Sequence, residues 1–454
     1  RVVHLTYDAI VIGSGQGGNP LAVAVAKQGA KVALIESGLL GGTCVNTGCT
    51  PTKTMVASAQ VAHYARNGAR WGVRTGEVRV DLPAILKRKE EVVERSRSGW
   101  PKKFDKKVDV YHDRARFIGT RRIQAGEHTL EAERIFINTG AAPTIPQIEG
   151  LDKVPYLTNV SLIELKEVPA HLIVLGGGYV GLEFGQMFRR FGSKVTIVQS
   201  ARQILPKEDE DVATELQKCL ESEGVEFVLN QRATKVEKSG PEIRLSVGGQ
   251  VVTGSHLLVA VGRSPQTKDL DLEKTGVKTD ERGNIVVNER LETGAEGIWA
   301  IGDVNGGPAF THISYNDYQI VYGNIYEGKN LSTRTRLVPY GVFTDPTLGR
   351  VGVTEKEARA QGKKLKIGKV PMTWVARAIE RAETGGFMKL IVDAANDHIL
   401  GAAILASEGA ELVQILSTLM LAERPYTLLK GAIYIHPTLA EGFFTLMDSV
   451  KPVD

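Results

Sequence analysis

Cys44 and Cys49 in GGTCVNTGCTPTK are the residues of this chain with the plainest redox chemistry. In a regular helix, positions five apart have Cα atoms roughly 8–9 Å apart, beyond the reach of a disulfide. Bridging them needs a distorted turn, which Gly48 and Pro51 would permit. Two separate buried thiols are the other reading. The third cysteine, Cys219, lies in DVATELQKCLESEG among acids and a lysine and reads as a bystander. Three cysteines make a structural disulfide framework implausible, and a pair formed in a reducing compartment is catalytic rather than structural in character.

The elements that would carry such a centre repeat. Residues 7–36, YDAIVIGSGQGGNPLAVAVAKQGAKVALIE, read as an apolar strand, a glycine turn, an Ala/Val-rich helix and a second strand ending in an acid. Gly13, Gly15 and Gly18 form G-x-G-x-x-G, and Glu36 follows 18 residues beyond. Such glycines allow a tight turn and close approach of a pyrophosphate to a helix N-terminus, while the acid can accept from an adenosine ribose hydroxyl. Residues 171–199 repeat the pattern with Gly176, Gly178 and Gly181. Gly13 to Glu36 and Gly176 to Gln199 both span 23 positions, so the crossovers match and imply two dinucleotide sites. IFINTGAAP and LLVAVGRSP are further apolar strands closing on glycine loops, and IWAIGD ends on Gly302 and Asp303. An acid at the carboxyl end of a strand lies where open α/β sheets bind ligands; alone, Asp303 is equally a turn residue.

At 454 residues the chain is too long for one core and suits two to four domains of about 100–200 residues each. Its 42% hydrophobic and 24% charged residues set aside disorder and coiled coil, and 49 glycines point to many tight turns. A net charge of +4 is too mild to indicate nucleic acid. With no run of 18 apolar residues and a strand pattern from the first residues, the expectation is a cytoplasmic protein without membrane spans or signal peptide.

GGTCVNTGCTPTK resembles the active-site signature of the FAD-dependent pyridine nucleotide-disulfide oxidoreductases, the group of lipoamide dehydrogenase, glutathione reductase and mercuric reductase. The similarity extends along the chain in family order: first glycine motif, CxxxxC, INTGA, second glycine motif, VGRSP, AIGD and HPTLAE. The resemblance implies an α/β fold with two Rossmann-like dinucleotide-binding domains and a C-terminal α+β dimerisation domain. The expected divisions are 1–146 and 266–337 for FAD, 147–265 for NAD(P) and 338–454 for the interface. It implies a Cys44–Cys49 redox disulfide, with Cys49 beside the flavin and Cys44 as the interchange thiol. It assigns Lys53 to the flavin ring, paired with Glu183, and Tyr179 to the nicotinamide side of the flavin. His436 would be the general acid–base, oriented by Glu441, and both would come from the partner in a homodimer. Gly42, Thr43, Thr139, Gly140, Gly302 and Asp303 join the first motif in holding FAD, and Gly262 joins the second in holding NAD(P). No metal site is implied. A helix N-terminus at the cysteines would favour the low-pKa thiolate that the exchange needs.

The acceptor is less legible. The C-terminal FFTLMDSVKPVD has neither the cysteine pair of mercuric reductases nor a thioredoxin-reductase redox tail. HPTLAE is close to the lipoamide dehydrogenase form, whereas GCTPTK, MTWVARAIERAETGGFMK and Tyr179 look more like the mercuric-reductase-like branch. The expected reaction takes electrons from NAD(P)H through FAD and the cysteine pair to an external small-molecule acceptor: a disulfide, a metal ion such as Hg(II), or a quinone. Dihydrolipoamide dehydrogenase is one alternative, and a redox-responsive flavin-containing subunit of a larger complex is another. NADPH is favoured over NADH. Gln199 stands where an acid would repel a 2′-phosphate, and Ser200 and Arg202 follow within reach of the same ribose edge.

Overall fold

The computed structural model describes residues 3–454. The chain forms two compact units. One comprises the chain up to Thr54, Ala84–Thr144 and Gly262–Arg336; the other comprises Met55–Pro83, Ile145–Val261 and Leu337–Asp454.

In the first unit the strand Val3–Ile12 runs parallel to Val32–Ile35 on one side and to His128–Ile137 on the other. Val108–Tyr111 extends the sheet beyond Val32–Ile35, and Ile298–Ala300 pairs with the end of His128–Ile137. The apolar runs are continuous because both faces are covered. Ala9, Val11, Val32, Leu34 and Phe136 pack on one side with the helices Gly18–Lys27 and Thr311–Tyr326. Ile10, Ile12, Ala33, Ile35, Ile135 and Ile137 pack on the other, following the strand period of two.

The second unit contains the repeat. Parallel strands run in the order Glu226–Leu229, Lys194–Gln199, His171–Leu175, His256–Val259, with the helix Tyr179–Phe191 crossing between the middle pair. A three-stranded antiparallel sheet, Ala233–Ser239, Glu242–Val247 and Gln250–Gly254, shares its core. From Leu337 the chain builds a six-stranded antiparallel sheet backed by Gly409–Leu421 and Gly442–Asp448, whose apolar faces fill a further core. The expected mixed α/β architecture with two Rossmann-like units is present. No helix among the described residues is long and apolar enough to cross a membrane.

Candidate active site

Both glycine turns are built by the same contacts. Gly13 N donates to Ile35 O at 2.8 Å and Gly176 N to Val198 O at 2.8 Å, tying each turn to the end of the next strand. At Gly13 the φ of +101° and a virtual Cβ only 2.1 Å from Asn138 O leave room for no side chain. Glu36 Oε2 accepts from Ser14 N at 2.9 Å and Ser14 Oγ at 2.5 Å, and Oε1 accepts from Gly38 N at 2.8 Å. In the second turn Gln199 Oε1 accepts from Gly177 N at 3.2 Å. Ser200 and Arg202 are exposed beyond it. The helices Gly18–Lys27 and Tyr179–Phe191 both start on a glycine cap, which offers no side chain, and neither has an acid in its first turn; Gly18 N is held by Asn138 Oδ1 at 2.9 Å. Helix Glu355–Ala360, by contrast, is closed by a Thr354–Glu357 capping box. Neither glycine turn closes its helix with a capping side chain of its own, an arrangement that suits an external anion.

The cysteines occupy consecutive helices rather than one. Gly42–Asn46 ends at Thr47, and a new helix, Cys49–Arg66, starts after Gly48. A Cβ at Gly48 would sit 2.9 Å from Thr43 O, so the break that brings the thiols together needs glycine there. This is the distorted turn the spacing required. The helix begins at Cys49 itself, with Pro51 inside its first turn, so the dipole acts directly on that sulfur. Both residues stand as thiols, Cys44 half-buried and Cys49 exposed. The hydrogen bond to Cys49, then burial, push the Cys44 thiol far above the usual range, while Thr311 and the Lys53 charge pull the other way. The proton is therefore held on Cys44. Cys49 Sγ lies 3.3 Å from Thr311 Oγ1. Lys53, four residues along from Cys49, is half-buried.

Asp303 lies in the turn Gly302–Asn305 after Ile298–Ala300. Burial raises its carboxyl pKa; Arg263 pulls it down and Asp317 adds to the rise. Thr139 Oγ1 donates to Gln266 O at 2.8 Å and Gln266 N to Gly140 O at 2.9 Å, closing the INTGA loop. Gly262, at the start of the third segment of the first unit, accepts from Thr144 N. A Cβ at Gly42 would be 2.6 Å from Gly15 Cα, so the residues before Cys44 pack against the glycine turn.

In the second unit Glu183 is buried on Tyr179–Phe191 and accepts from Phe343 N at 2.9 Å; Tyr179 is half-buried at the start of that helix. His436 Nδ1 is 2.9 and 3.0 Å from the two oxygens of Glu441, which fixes the ring and leaves Nε2 to exchange protons. The His436 side chain is 71% exposed, beside fully exposed Ile433 and largely exposed Ile435. Apolar exposure of this kind marks an association surface.

Residues 7–317 match the family profile Pyridine nucleotide-disulphide oxidoreductase, and residues 338–447 match its dimerisation domain. The chain belongs to the pyridine nucleotide-disulphide oxidoreductase family. It is 39% identical to the probable pyridine nucleotide-disulfide oxidoreductase RclA of Escherichia coli, over 98% of this chain and 99% of that one. The solved structure titled HOCl-induced flavoprotein disulfide reductase RclA matches with a TM-score of 0.91 and 38% identity, over 98% of this chain and 100% of that one. A mercuric reductase of Lysinibacillus sphaericus is 35% identical over 90% of this chain and 76% of its own length. A dihydrolipoyl dehydrogenase of Thermus scotoductus is 35% identical over 98% and 97%.

Members of this family are enzymes that use FAD and NAD(P)H, and its dimerisation domain supports a homodimer. The residues present fit both cofactors. A Cβ at Gly140 or Gly178 would meet no atom within 4 Å, which leaves open approaches at the INTGA loop and at the start of the second helix. Sequence reasoning missed three supports. Asn138, buried, accepts from Gly18 N and donates to Ile301 O, both at 2.9 Å, joining the glycine turn to the Asp303 strand. Asp317, 1% exposed, accepts from Gly302 N at 2.9 Å and pairs with Arg336 at 2.6 Å. Thr311 touches Cys49 from a helix 262 residues away. Only Asn138 left a signal: a polar residue closing an otherwise apolar strand.

Proposed function

We propose that this chain is an NAD(P)H-dependent flavoprotein reductase whose Cys44–Cys49 pair delivers electrons to a thiophilic metal ion, with NADPH the preferred donor. FAD, when bound, relays two electrons from the nicotinamide to the cysteines. Glu36 and Asp303 would bind opposite ends of FAD, with Gly42, Thr43, Thr139 and Gly140 lining it. Lys53 would supply positive charge beside the ring, with Glu183 as its counter-charge, and Tyr179 would cover the nicotinamide side. Cys44 would meet the acceptor. Two Cu(II) ions accepting one electron each, or one Hg(II) accepting two, leave the pair as a disulfide with both thiol protons released.

The observation that carries the reading is the thiol pair itself: one sulfur at a helix N-terminus, and a partner that retains its proton through the hydrogen bond between them. Among the described residues no group of three or more His, Cys, Asp or Glu side chains could hold a metal ion. A metal ion would thus meet two thiols as a substrate and leave after reduction. The relative RclA is also described as a Cu(II) complex, which supports a metal-ion acceptor.

The His436–Glu441 pair favours a second reading, disulfide exchange of the dihydrolipoamide type, because a fixed imidazole is suited to shuttling a thiol proton. The test is an acceptor screen on the purified holoenzyme with NADPH and NADH, using Cu(II), Hg(II) with excess thiol, lipoamide, glutathione disulfide and a quinone. The expected result is the highest kcat/KM with a metal ion, abolished in Cys44→Ser. Faster turnover of lipoamide would install the second reading, and stoichiometric reduction without turnover would point to a redox-responsive subunit.

A further inference from the structure

Beyond the second glycine turn, residues 200–209 form a loop held from both ends. At the turn, Leu205 N donates to Gly177 O at 2.9 Å, and Gln199 Nε2 donates to Gln203 O at 3.3 Å. Gln203 Nε2 in turn donates to Leu205 O at 3.2 Å and Glu208 O at 2.9 Å. Leu205 takes a φ of +44°, a left-handed conformation that a leucine holds only when its surroundings impose it.

At the far end the restraint comes from the C-terminal sheet. Glu208, buried, accepts from Arg350 Nε at 3.0 Å and Nη2 at 2.5 Å, and from the Tyr340 hydroxyl. Arg350 is 1% exposed, and its Nη1 donates to Val353 O at 3.1 Å. Asp209 accepts from Glu355 N at 2.9 Å and Lys356 N at 3.1 Å, and lies 3.3 Å from Lys389 Nζ. Lys389, 2% exposed, also pairs with Asp211 at 3.0 Å and Glu355 at 2.7 Å. Burial alone would lower the Lys389 pKa; the three carboxylates outweigh it and raise it, so the ammonium stays charged. Burial and the Glu208 charge push the Tyr340 hydroxyl up, so it remains a donor.

A solvent-facing loop needs no such anchor. Taking Glu208, Asp209, Arg350 and Lys389 out of water is repaid only by close, well hydrogen-bonded partners, so each is held in one geometry. What they hold is the loop carrying Ser200 and Arg202. We infer that Glu208, Arg350 and Tyr340 are positioning residues for the nicotinamide dinucleotide: through Gln203 and Leu205 they fix residues 199–205 where the adenosine end of the dinucleotide binds. The inference rests on the reading that this loop faces that ribose, and it extends the nucleotide site to residues more than 130 positions away.

The test uses holoenzyme variants Glu208→Gln and Tyr340→Phe. The measurements are NADPH and NADH titrations with a saturating dye acceptor, FAD content, and amide hydrogen exchange. Losing one well-placed hydrogen bond at the anchor should raise KM for both dinucleotides roughly tenfold. FAD content should hold, kcat should stay within about twofold, and faster exchange should be confined to residues 199–209. Unchanged KM overturns the inference, as does a fall in kcat at constant KM or exchange rising throughout the C-terminal sheet, which would mark a merely structural role. If Glu208→Gln fails to fold, Tyr340→Phe, which keeps the ring, decides alone. Arg202→Ala separates the two ideas. If it weakens NADPH and NADH equally, the cofactor reading falls, while a KM rise in Tyr340→Phe still supports the positioning role.

Discussion

Gly178 and Gly181, three residues apart in the second turn, should respond in opposite ways to the same methyl group. At Gly178 the backbone has φ −80° and ψ −177°, which alanine adopts freely, and a Cβ meets nothing within 4 Å. Gly178→Ala should therefore leave folding untouched or add about 0.4–1 kcal/mol by restricting the unfolded chain. At Gly181 the Cβ would lie 2.1 Å from Gly176 O and 3.1 Å from Val174 Cγ1. The helix must retreat from the turn by about 1 Å, an overpacking that costs about 1–3 kcal/mol. Thermal unfolding, FAD content and KM for NADPH and NADH measured together separate the effects. Gly178→Ala should keep its melting temperature and FAD while KM rises roughly tenfold or more, because the methyl fills the space a pyrophosphate approaches. Gly181→Ala should melt several degrees lower. Wild-type KM in Gly178→Ala would refute the assignment of this turn to the dinucleotide, and an unshifted melting temperature in Gly181→Ala would refute the packing argument.

Two-electron reduction should give a long-wavelength charge-transfer band from the Cys49 thiolate to oxidised FAD. The band should be lost in Cys49→Ser and kept in Cys44→Ser; its survival in Cys49→Ser would reverse the assignment of the two sulfurs. NADPH should exceed NADH in kcat/KM, and Arg202→Ala should weaken NADPH alone by roughly ten- to a hundredfold, the worth of one charge-assisted contact. A wild type that prefers NADH would end that reading. Mixing inactive His436→Ala with inactive Cys44→Ser protein should restore one working site per heterodimer; no recovery despite subunit exchange measured by mass spectrometry would place the acid–base within one subunit. The Cys219 thiol is pushed up to about 12 by burial and then by Glu215, Asp345 and Glu223. Alkylation between pH 7 and 9 should therefore spare it while labelling the reduced pair, and peptide mapping would expose the opposite order.

What was legible in the sequence is what neighbouring residues enforce on one another. The strands show as apolar runs because both sheet faces are covered, and the glycine turns show because the backbone excludes a Cβ. The break between Cys44 and Cys49 shows because two thiols five apart cannot meet in an unbroken helix. What stayed hidden depends on distant partners. Asn138 meets Gly18 across 120 positions, Thr311 meets Cys49 across 262, and Glu208 meets Arg350 across 142. Asn138, Glu208 and Arg350 are polar groups whose burial is tolerated only because the partner arrives from elsewhere in the chain, and Thr311 reaches the exposed Cys49 in the same way. His436 and Glu441 could be named from the HPTLAE motif, but their geometry alone, a fixed imidazole on an exposed apolar surface, does not say which thiol they serve.

The two turns also show how one fold can separate stability from cofactor choice. Each strand end must present an acceptor to the amide that follows the first glycine: Glu36 to Ser14 N at 2.9 Å, Gln199 to Gly177 N at 3.2 Å. A carboxylate and a carboxamide can both accept from that amide, so it places no demand on the charge; only the carboxamide also donates, as Gln199 Nε2 does to Gln203 O at 3.3 Å. The charge matters only to what lies beyond it. A carboxylate accepts from a ribose hydroxyl and repels a phosphate, whereas an amide does not repel, and a nearby guanidinium can then bind the phosphate. Gln199→Glu keeps the acceptor for Gly177 N but loses the bond donated to Gln203 O, so it should keep its FAD content, melt at most slightly lower than the wild type, and move selectivity towards NADH. If it instead destabilised the turn, the amide would be required by the fold, and Gln199 would carry no information about the cofactor.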